Sequence, residues 1–423
     1  MTSWASDDQS ELSFARLAPG PRFIAVMNRN RDGYEVPLAL EQAGLLECLV
    51  TDFYAPDRAS TWLPGFLRRR YRSGLPAARC RSSWTSFILQ YAAEALRLPM
   101  HRVFPVTDRL LARSASRRAR RSGACLYAYS SYVDPEAALP PATRVIDFEY
   151  HPHPDLGFAL LKSDFETYPE VAWSFAQEEA AQSNEQISNA WRRSDAVVCA
   201  SDMTRKSLEH AGCDPARITV IPYGLSDEVK PIQDRDAGPC RFLFVGQGVQ
   251  RKGLHHLAHA WRRAAPDNAV LTIVSYRLDP GIAALLDLPG ITVLRHQTHD
   301  ELEALYRQSD VFIMPSLIEG FGLVYLEALS HGCHVVATEN TGVFDLRLSV
   351  EAATIVSVGD VAELSKTITS IAARKAAGTL DPLAIRNEAL GWRWKDFRRA
   401  IGEHAFAFLS GKIRGPHLLA TSS

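Results

Sequence analysis

The stretch Pro315–Val336, PSLIEGFGLVYLEALSHGCHVV, predicts the fold more directly than any other part of the sequence. An apolar strand leads into it, a turn follows at Glu319–Gly322, and a helix carrying Glu327 ends at Gly332, before a second apolar strand. Glycine favours the left-handed backbone that commonly follows a helix end. Two glycines before a helix let the backbone approach a ligand closely, and the amides of the first helical turn can bind an anion. This order predicts an α/β fold with a ligand site at the carboxyl end of the first strand.

The same stretch contains two glutamates with a spacing that is typical of one enzyme family. In EGFGLVYLE, seven residues separate Glu319 from Glu327, with PS before the segment and ALSHGCHVVAT after it. In this setting the sequence resembles the retaining glycosyltransferases of family 4, the "glycosyl transferases group 1". The resemblance implies the GT-B fold, which has two Rossmann-like doubly wound α/β domains facing across a cleft and a C-terminal helix that crosses back to the first domain.

Length and composition agree with a two-domain globular protein. The chain has 423 residues, of which 46% are hydrophobic and 22% charged, and its net charge of -1 indicates no polyanionic partner such as nucleic acid. The seven cysteines are scattered without a CxxC pair, which argues against a structural zinc site. No apolar run approaches the roughly 18 residues that span a bilayer, and the polar first residues do not resemble a signal peptide. We therefore expect a cytoplasmic protein.

Apolar runs, glycines and polar stretches predict the domain boundaries. Continuous apolar runs in the second half, such as RFLFVG and HVVATE, indicate six strands buried on both faces of a parallel sheet. Asn28–Gly33 follows the first predicted strand and is expected to face a cleft. The predicted parts are a tail at 1–20, an N-terminal acceptor-binding domain at 21–224, a linker at 225–239, a C-terminal nucleotide-sugar-binding domain at 240–390, a crossover helix at 391–412 and a tail at 413–423.

The segment FVGQGVQRKG, residues 244–253, is the second diagnostic stretch. In the family this loop carries an arginine and a lysine that neutralise the nucleotide diphosphate as it leaves. Lys252 occupies the lysine position, but Gln247, which carries no charge, occupies the arginine position. Arg251 is close enough to compensate, although a helical register would point it elsewhere. Cations are slightly unfavourable at a helix start, which favours an anionic ligand over the alternative of a solvated helix start.

Two histidines follow a predicted strand in TRVIDFEYHPHPDL, residues 143–156. Alternate residues of an extended strand share a face, so His151 and His153 can point to one side. They could form a metal pair, for which no third ligand is evident nearby, or a structural pair. In the resembling family a histidine at a strand end of the first domain hydrogen-bonds the donor sugar. That role falls to His151 first and to His153 second.

The resemblance implies a role for each candidate residue. Glu319 would bind the sugar hydroxyls, Lys252 with Arg251 or Gln247 would bind the diphosphate, and Glu327 would bind the ribose. The catalytic candidates are Glu319, His151, His153 and Lys252, and the donor-binding candidates are Glu327, Gln247, Arg251, Gly320, Phe321, Gly322, Leu323 and Val324. The nucleotide sugar is a substrate, and we expect no cofactor and no metal.

The implied activity is retaining transfer of a hexosyl group from a nucleotide sugar to an acceptor, which is a glycan, a lipid-linked glycan or a small molecule. Two alternatives stay open. A GT-B subunit without catalysis could act as a binding or scaffold partner, an interpretation that Gln247 favours. A sugar-nucleotide epimerase would turn over without any acceptor. A hydrolase, which also uses a carboxylate pair, is disfavoured by the glycine loop and by Lys252.

An arginine-rich segment runs from Arg58 to Arg121. It contains fifteen arginines but only two acids, Glu94 and Asp108, interleaved with aromatic residues. Solvated helix faces are one interpretation. The other is docking to an anionic membrane surface, which would place the protein on the inner face of the membrane near a lipid-linked acceptor. No RNA- or DNA-binding motif accompanies the segment.

Overall fold

A computed structural model describes residues 22–56, 63–98, 100–132, 139–140, 142–182, 190–226, 231–232, 235 and 237–412. Both predicted tails, Arg58, Trp62 and part of the predicted linker lie outside the described residues. The predicted domain boundaries stay predictions. Within the described ranges, no helix combines the length and the apolarity that crossing a bilayer requires.

The described strands form two parallel sheets. The first contains β1 (Phe23–Val26), β2 (Leu46–Thr51), β3 (Cys80–Ser82), β4 (Cys125–Tyr129), β5 (Val145–Glu149), β6 (Ala196–Cys199) and β7 (Ile218–Val220) in the order β3-β2-β1-β4-β5-β6-β7. The second contains β8 (Cys240–Val245), β9 (Ala269–Val274), β10 (Ile291–Leu294), β11 (Val311–Ile313), β12 (His334–Thr338) and β13 (Ala353–Val356) in the order β10-β9-β8-β11-β12-β13. In each sheet the second and third strands lie on one side of the first strand and the later strands lie on its other side, as in doubly wound folds. The six strands predicted for the second domain are confirmed.

Helices connect most of these strands. They are α1 (Glu35–Gln42), α2 (Gly65–Arg68), α3 (Trp84–Ala95), α4 (Met100–Ser122), α5 (Pro154–Thr167), α6 (Ala172–Gln182), α7 (Asp202–His210), α8 (Leu254–Ala264), α9 (Pro280–Leu285), α10 (His299–Gln308), α11 (Leu323–Ser330), α12 (Val361–Ala376), α13 (Pro382–Ala389) and α14 (Trp394–Leu409). Local signals fix several starts. Ser201 caps α7, and Thr298 with Glu301 forms a capping box at α10.

One compact unit comprises the described residues of Met1–Ala128, Tyr132–Val145 and Arg398–Ile413. In this unit the end of α14 packs on the first strand, with the ring of Phe408 centred 6.1 Å from that of Phe23. Arg398 Nη1 donates a 2.7 Å hydrogen bond to Glu35 Oε2. The prediction that the C-terminal helix returns to the N-terminal part of the chain is therefore confirmed.

The second unit comprises the described residues of Tyr129–Ser131, Ile146–Phe397 and Arg414–Ser423. An apolar cluster in it joins α5 and α6 to the loop after β11. Leu161, Phe175 and Leu317 are buried in this cluster, and the rings of Phe165 and Phe175 stack at 4.6 Å. Because Leu317 lies two residues before Glu319, this packing fixes the start of the loop that carries Glu319.

Gly253 makes the closest backbone approach near that loop. Its φ is +67°, and a Cβ at this position would overlap the carbonyl oxygen of Pro315. Glycine alone tolerates both conditions without strain. The end of the β8 loop therefore packs directly on the end of β11, which brings residues 251–252 next to residue 319.

We expect Gly253→Ala to destabilise the protein more than Gly378→Ala, a matched control. Gly378 has a φ of +68° but nothing within 4 Å of its absent Cβ. The control should lose about 1–2 kcal/mol of unfolding free energy from the left-handed backbone alone. Gly253→Ala should lose a further 1–3 kcal/mol, about the cost of overpacking. Urea denaturation measures both losses. Equal losses would show that the contact with Pro315 is not a tight one.

Candidate functional site

The centre of the candidate site is a buried cluster of one carboxylate and two cations. Glu319 is 6% exposed, and its carboxylate pairs with the ammonium group of Lys252. Arg251 Nη1 lies 3.3 Å from Oε2 and 3.4 Å from Oε1 of the same carboxylate. The structure thus brings together three of the predicted site residues.

A short turn explains how two consecutive residues reach one carboxylate. Arg251 and Lys252 belong to a single 3-10 turn, Gln250–Lys252, which ends at Gly253 before α8 begins. The expectation that Arg251 points elsewhere rested on an α-helical register and is wrong. The carbonyl of Arg251 also accepts a 3.0 Å hydrogen bond from the amide of Leu317, so the backbones of the two loops are joined as well.

Electrostatics keep the carboxylate ionised. Burial opposes ionisation, but the charges of Lys252 and Arg251 outweigh it and lower the pKa of Glu319 to about 2. Burial lowers the pKa of Lys252, and the Glu319 charge acts against that shift. Because an arginine stays protonated in proteins, the cluster has one positive charge in excess whenever Lys252 is protonated. Such a cluster is suited to a negatively charged ligand.

The glycine loop beside the cluster presents backbone rather than side chains. Gly322 has a φ of +87° and precedes the first turn of α11, where no side chain caps the helix. The amides of Leu323 and Val324 lie in that turn, where helical amides have no partner within the helix. A Cβ at Gly320 would overlap the carbonyl oxygen of Tyr150. The side chain of Phe321 is buried, so Phe321 can contribute only its backbone to a ligand.

Glu327 has different surroundings from Glu319. It lies exposed on α11, and its Oε2 accepts a 3.2 Å hydrogen bond from the hydroxyl of Tyr306. It lines a cavity of about 350 Å³ that His299, Leu302 and Tyr306 also line, whereas Glu319 does not. The structure therefore does not bring the two glutamates into one cluster.

The two histidines also differ. The strand β5 ends at Glu149, so the alternation that would align His151 with His153 does not extend to them. His153 is buried and caps α5, because its Nδ1 accepts a hydrogen bond from the amide of Asp155. His151 is exposed and interacts with the charge of Glu319. Both histidines line a cavity of about 310 Å³ together with Arg251.

Gln247 does not take part in the ion cluster among the described contacts. Its side-chain amide donates a hydrogen bond to the hydroxyl of Tyr276, in the loop after β9. The cation that lies next to Glu319 besides Lys252 is that of Arg251.

The first unit contains a polar cavity that the sequence did not predict in detail. It has a volume of about 390 Å³, and its lining includes three arginines and two acids, namely Arg29, Arg69, Arg70, Asp52 and Glu94. Arg70 pairs with Asp52, and Arg29 pairs with Glu94. The sequence indicated part of this lining twice, through Asn28–Gly33, which follows a strand, and through the arginine-rich segment from Arg58 to Arg121, which contains Arg69, Arg70 and Glu94. It did not predict that the two stretches line one cavity.

Comparisons with known proteins agree with the resemblance. Residues 239–374 match the family model "Glycosyl transferases group 1". A glycogen synthase of Mycobacterium tuberculosis is 29% identical over 190 aligned residues, in an alignment that covers 43% of this chain and 46% of that protein. A D-inositol 3-phosphate glycosyltransferase of Mycobacterium bovis is 27% identical over 238 aligned residues, in an alignment that covers 49% of this chain and 49% of that protein. The chain thus spans about half the length of the curated relatives it matches.

Solved structures resemble the whole fold. A sucrose-phosphate synthase from Thermosynechococcus elongatus superposes with a TM-score of 0.58 at 15% identity, covering 92% of this chain and 100% of that one. A glycosyltransferase from Rickettsia africae gives 0.56 at 14% identity, covering 93% and 99%. At these identities the likeness concerns the fold alone, and the fold is the predicted GT-B fold. This chain therefore has the GT-B fold, and its residues 239–374 are similar to the glycosyl transferases group 1 family.

Proposed function

We propose that the protein is a retaining glycosyltransferase that moves a hexosyl group from a nucleotide sugar to an acceptor. The observation that carries the proposal is the convergence of Lys252 and Arg251 on Glu319, beside a glycine loop and the first turn of α11. These residues lie in the segment that matches the family model. The curated relatives include a glycogen synthase and a D-inositol 3-phosphate glycosyltransferase, of which the second is named for glycosyl transfer.

The donor diphosphate would exchange partners with Glu319. A diphosphate at the start of α11 competes for Lys252 and Arg251 and gains the amides of Leu323 and Val324. Glu319 is then released to accept hydrogen bonds from the sugar hydroxyls. Charge builds up on the diphosphate as it leaves, and fixed cations stabilise that charge most in the transition state. We assign this neutralisation to Lys252 and Arg251 rather than to a metal ion.

The proposed reaction needs no enzyme nucleophile. The acceptor oxygen bonds to the anomeric carbon on the face from which the diphosphate departs, the bond from that carbon to the phosphate oxygen breaks, and the departing phosphate takes the acceptor's proton. In this proposal Glu319 accepts hydrogen bonds from the sugar hydroxyls and does not attack the anomeric carbon. A hydrolase would need two carboxylates that flank one bond, and Glu319 and Glu327 lie in different surroundings.

The remaining candidate residues would bind the ribose, the nucleoside and the sugar of the donor. Glu327 would accept hydrogen bonds from the ribose, and the adjoining 350 Å³ cavity with His299 and Tyr306 would hold the nucleoside. His151, which is exposed beside Glu319, would hydrogen-bond the sugar. His153 is the weaker candidate because its Nδ1 caps a helix.

A non-catalytic GT-B subunit is the alternative that Gln247 favours. The ion pair between Arg251 and Glu319 supports the active enzyme instead, because Arg251 would supply the cation that residue 247 lacks. Hydrolysis of UDP-, GDP- and ADP-sugars, measured with and without acceptors, separates the possibilities. A scaffold shows no turnover, and an epimerase converts the donor without releasing a nucleotide.

We expect Lys252→Ala and Glu319→Ala each to lower kcat/KM by at least about 30- to 150-fold, which corresponds to about 2–3 kcal/mol of transition-state stabilisation. Lys366→Ala, which changes an exposed lysine on α12, is the control and should leave the rate unchanged. Glu327→Ala should mainly raise the KM for the donor. Steady-state kinetics with the donor found in the hydrolysis screen measure these values. Near wild-type rates for both of the first two variants would remove the ion cluster from the reaction.

The ion cluster also predicts a pH dependence of stability. The pKa of Glu319 is lowered from 4.5 to about 2 in the folded protein, so its stabilising contribution is full above pH 4.5 and is lost as the pH falls towards 2. Glu319→Gln should flatten this part of the stability profile measured by urea unfolding.

Lys252→Met should lower the free energy of unfolding by about 3 kcal/mol because it removes a partner of a buried charge. The double variant Glu319→Gln/Lys252→Met should lose less unfolding free energy than Lys252→Met alone, because no unpaired charge is left buried. A loss equal to the sum of the two single losses would contradict the coupling between Glu319 and Lys252.

We also propose that the first unit docks on an anionic membrane that carries the acceptor. The helix α3 and the residues after it expose apolar side chains, and α4, which follows in sequence, exposes arginines. The apolar side chains are Trp84, Ile88, Leu89, Tyr91, Leu96 and Leu98. The arginines are Arg102, Arg109, Arg113, Arg117, Arg118, Arg120 and Arg121. Apolar side chains insert at the interface, and basic ones attract anionic lipid. The arginine-lined cavity of this unit suits an acceptor that bears a phosphate.

Sedimentation with phosphatidylserine-containing vesicles tests the docking. We expect the wild type to bind at low salt and Arg117→Glu/Arg118→Glu to bind at least about 30-fold more weakly, since each basic residue contributes about 1 kcal/mol. Ile88→Ser/Leu89→Ser should also weaken binding. Val350→Ser, at an exposed valine of the second unit, is the control. Absence of wild-type binding at low salt would end this part of the proposal.

A further inference from the structure

A second cluster of chemically active side chains joins α5 to α8 in the second unit. Asp164 lies near the end of α5, and His255 and His256 lie in the first turn of α8. His255 Nε2 is 3.0 Å from Asp164 Oδ2, and His256 Nε2 is 2.7 Å from Asp164 Oδ1. Two imidazole nitrogens therefore converge on one carboxylate.

The cluster is buried, and its polar atoms are incompletely satisfied. His255 is 0% exposed and His256 is 1% exposed. Within the described part of the chain, the Nδ1 atoms of both rings have no hydrogen-bond partner. The Nε2 of His256, although it is close to the carboxylate, also lies outside hydrogen-bond geometry. A buried polar atom without a partner is costly, so the unpartnered Nε2 of His256, which lies 2.7 Å from Asp164 Oδ1, points to a ligand between these side chains rather than to simple packing.

The residue types are those of a metal site. Two imidazole nitrogens and one carboxylate oxygen form a set that binds zinc and other late divalent metals, and a fourth position stays open for water. The three ligand atoms lie within 4.8 Å of one another. Zinc bonds to nitrogen and oxygen are about 2.0–2.2 Å long, so small side-chain rotations would bring all three ligands onto one ion.

A neighbouring side chain orients the carboxylate. Gln250 Nε2 donates a 2.8 Å hydrogen bond to Asp164 Oδ2 and a 2.7 Å hydrogen bond to the carbonyl of Leu161. Residues that hold a ligand in place from outside the coordination shell are typical of metal sites. Gln250 is also the first residue of the turn that carries Arg251 and Lys252. The cluster is therefore connected to that turn by the hydrogen bond between Gln250 and Asp164.

We propose that Asp164, His255 and His256 form a binding site for one divalent transition metal ion of the zinc class, which fastens α5 to α8. The ion would link the two helices, and no step of the proposed sugar transfer involves it. This site amends the expectation, drawn from the sequence, that the protein binds no metal.

Metal content of the purified full-length protein tests the proposal. The protein is expressed with added zinc, desalted and analysed by mass spectrometry for zinc per chain, and chelator-treated protein is then titrated with ZnCl2. The wild type should retain about one zinc that Asp164→Asn and His255→Gln/His256→Gln lose, with an affinity at least about 10-fold lower in the variants. His259→Gln is the matched control, because His259 lies on α8 but pairs with Glu170 at 2.7 Å. It should retain the metal.

Cobalt substitution of the wild type keeps the test independent of how well the variants fold. Co²⁺ bound by imidazole and carboxylate gives d–d absorption bands without the intense charge-transfer band of thiolate ligation. Cysteine ligation, absence of retained metal in the wild type, or equal zinc content in the wild type and Asp164→Asn would each overturn the proposal. Because these readouts measure metal and not activity, they do not depend on the donor site.

Discussion

The buried charge of Glu319 is the constraint on which the rest of the site depends. A carboxylate that is 6% exposed stays ionised only if cations lie against it, and Lys252 and Arg251 supply them. Both cations reach it because the chain turns tightly at residues 250–252 and because Gly253 allows the loop to touch the backbone of Pro315. A buried ion pair contributes little net stability, so its value here lies in holding two cations at one place in a fixed geometry.

The packing of residues before and after Glu319 holds that geometry. Leu317, two residues before Glu319, is buried with Leu161 and Phe175. Gly320, the residue after Glu319, lies so close to the carbonyl of Tyr150 that no side chain fits between them. The proposed metal ion would also hold α8, the helix that follows Lys252, because His255 and His256 on α8 would bind the same ion as Asp164 on α5. An anionic ligand would thus meet cations that are already placed and would not have to order a flexible loop.

The sequence predicted much of this arrangement because most of the fold is specified locally. The strands of the second sheet are continuous apolar runs, and the glycine loop, its helix and the capping box at Thr298 are short-range patterns. Contacts between residues that are far apart in the sequence could not be predicted from short-range patterns. The direction of Arg251 depended on a 3-10 turn that looks like a helix start, and the pairing of Asp164 with His255 joins residues 91 positions apart. The separate surroundings of Glu327 follow from tertiary packing around Tyr306, which periodicity does not encode.

A crystal structure of the protein with a bound nucleoside diphosphate is the most direct measurement of the central claim. The account predicts that the terminal phosphate lies within hydrogen-bond distance of Lys252 Nζ and of the first amides of α11, with the ribose at Glu327 and with Glu319 no longer paired with Lys252. A nucleotide bound elsewhere, with the pair between Lys252 and Glu319 unchanged, would contradict it.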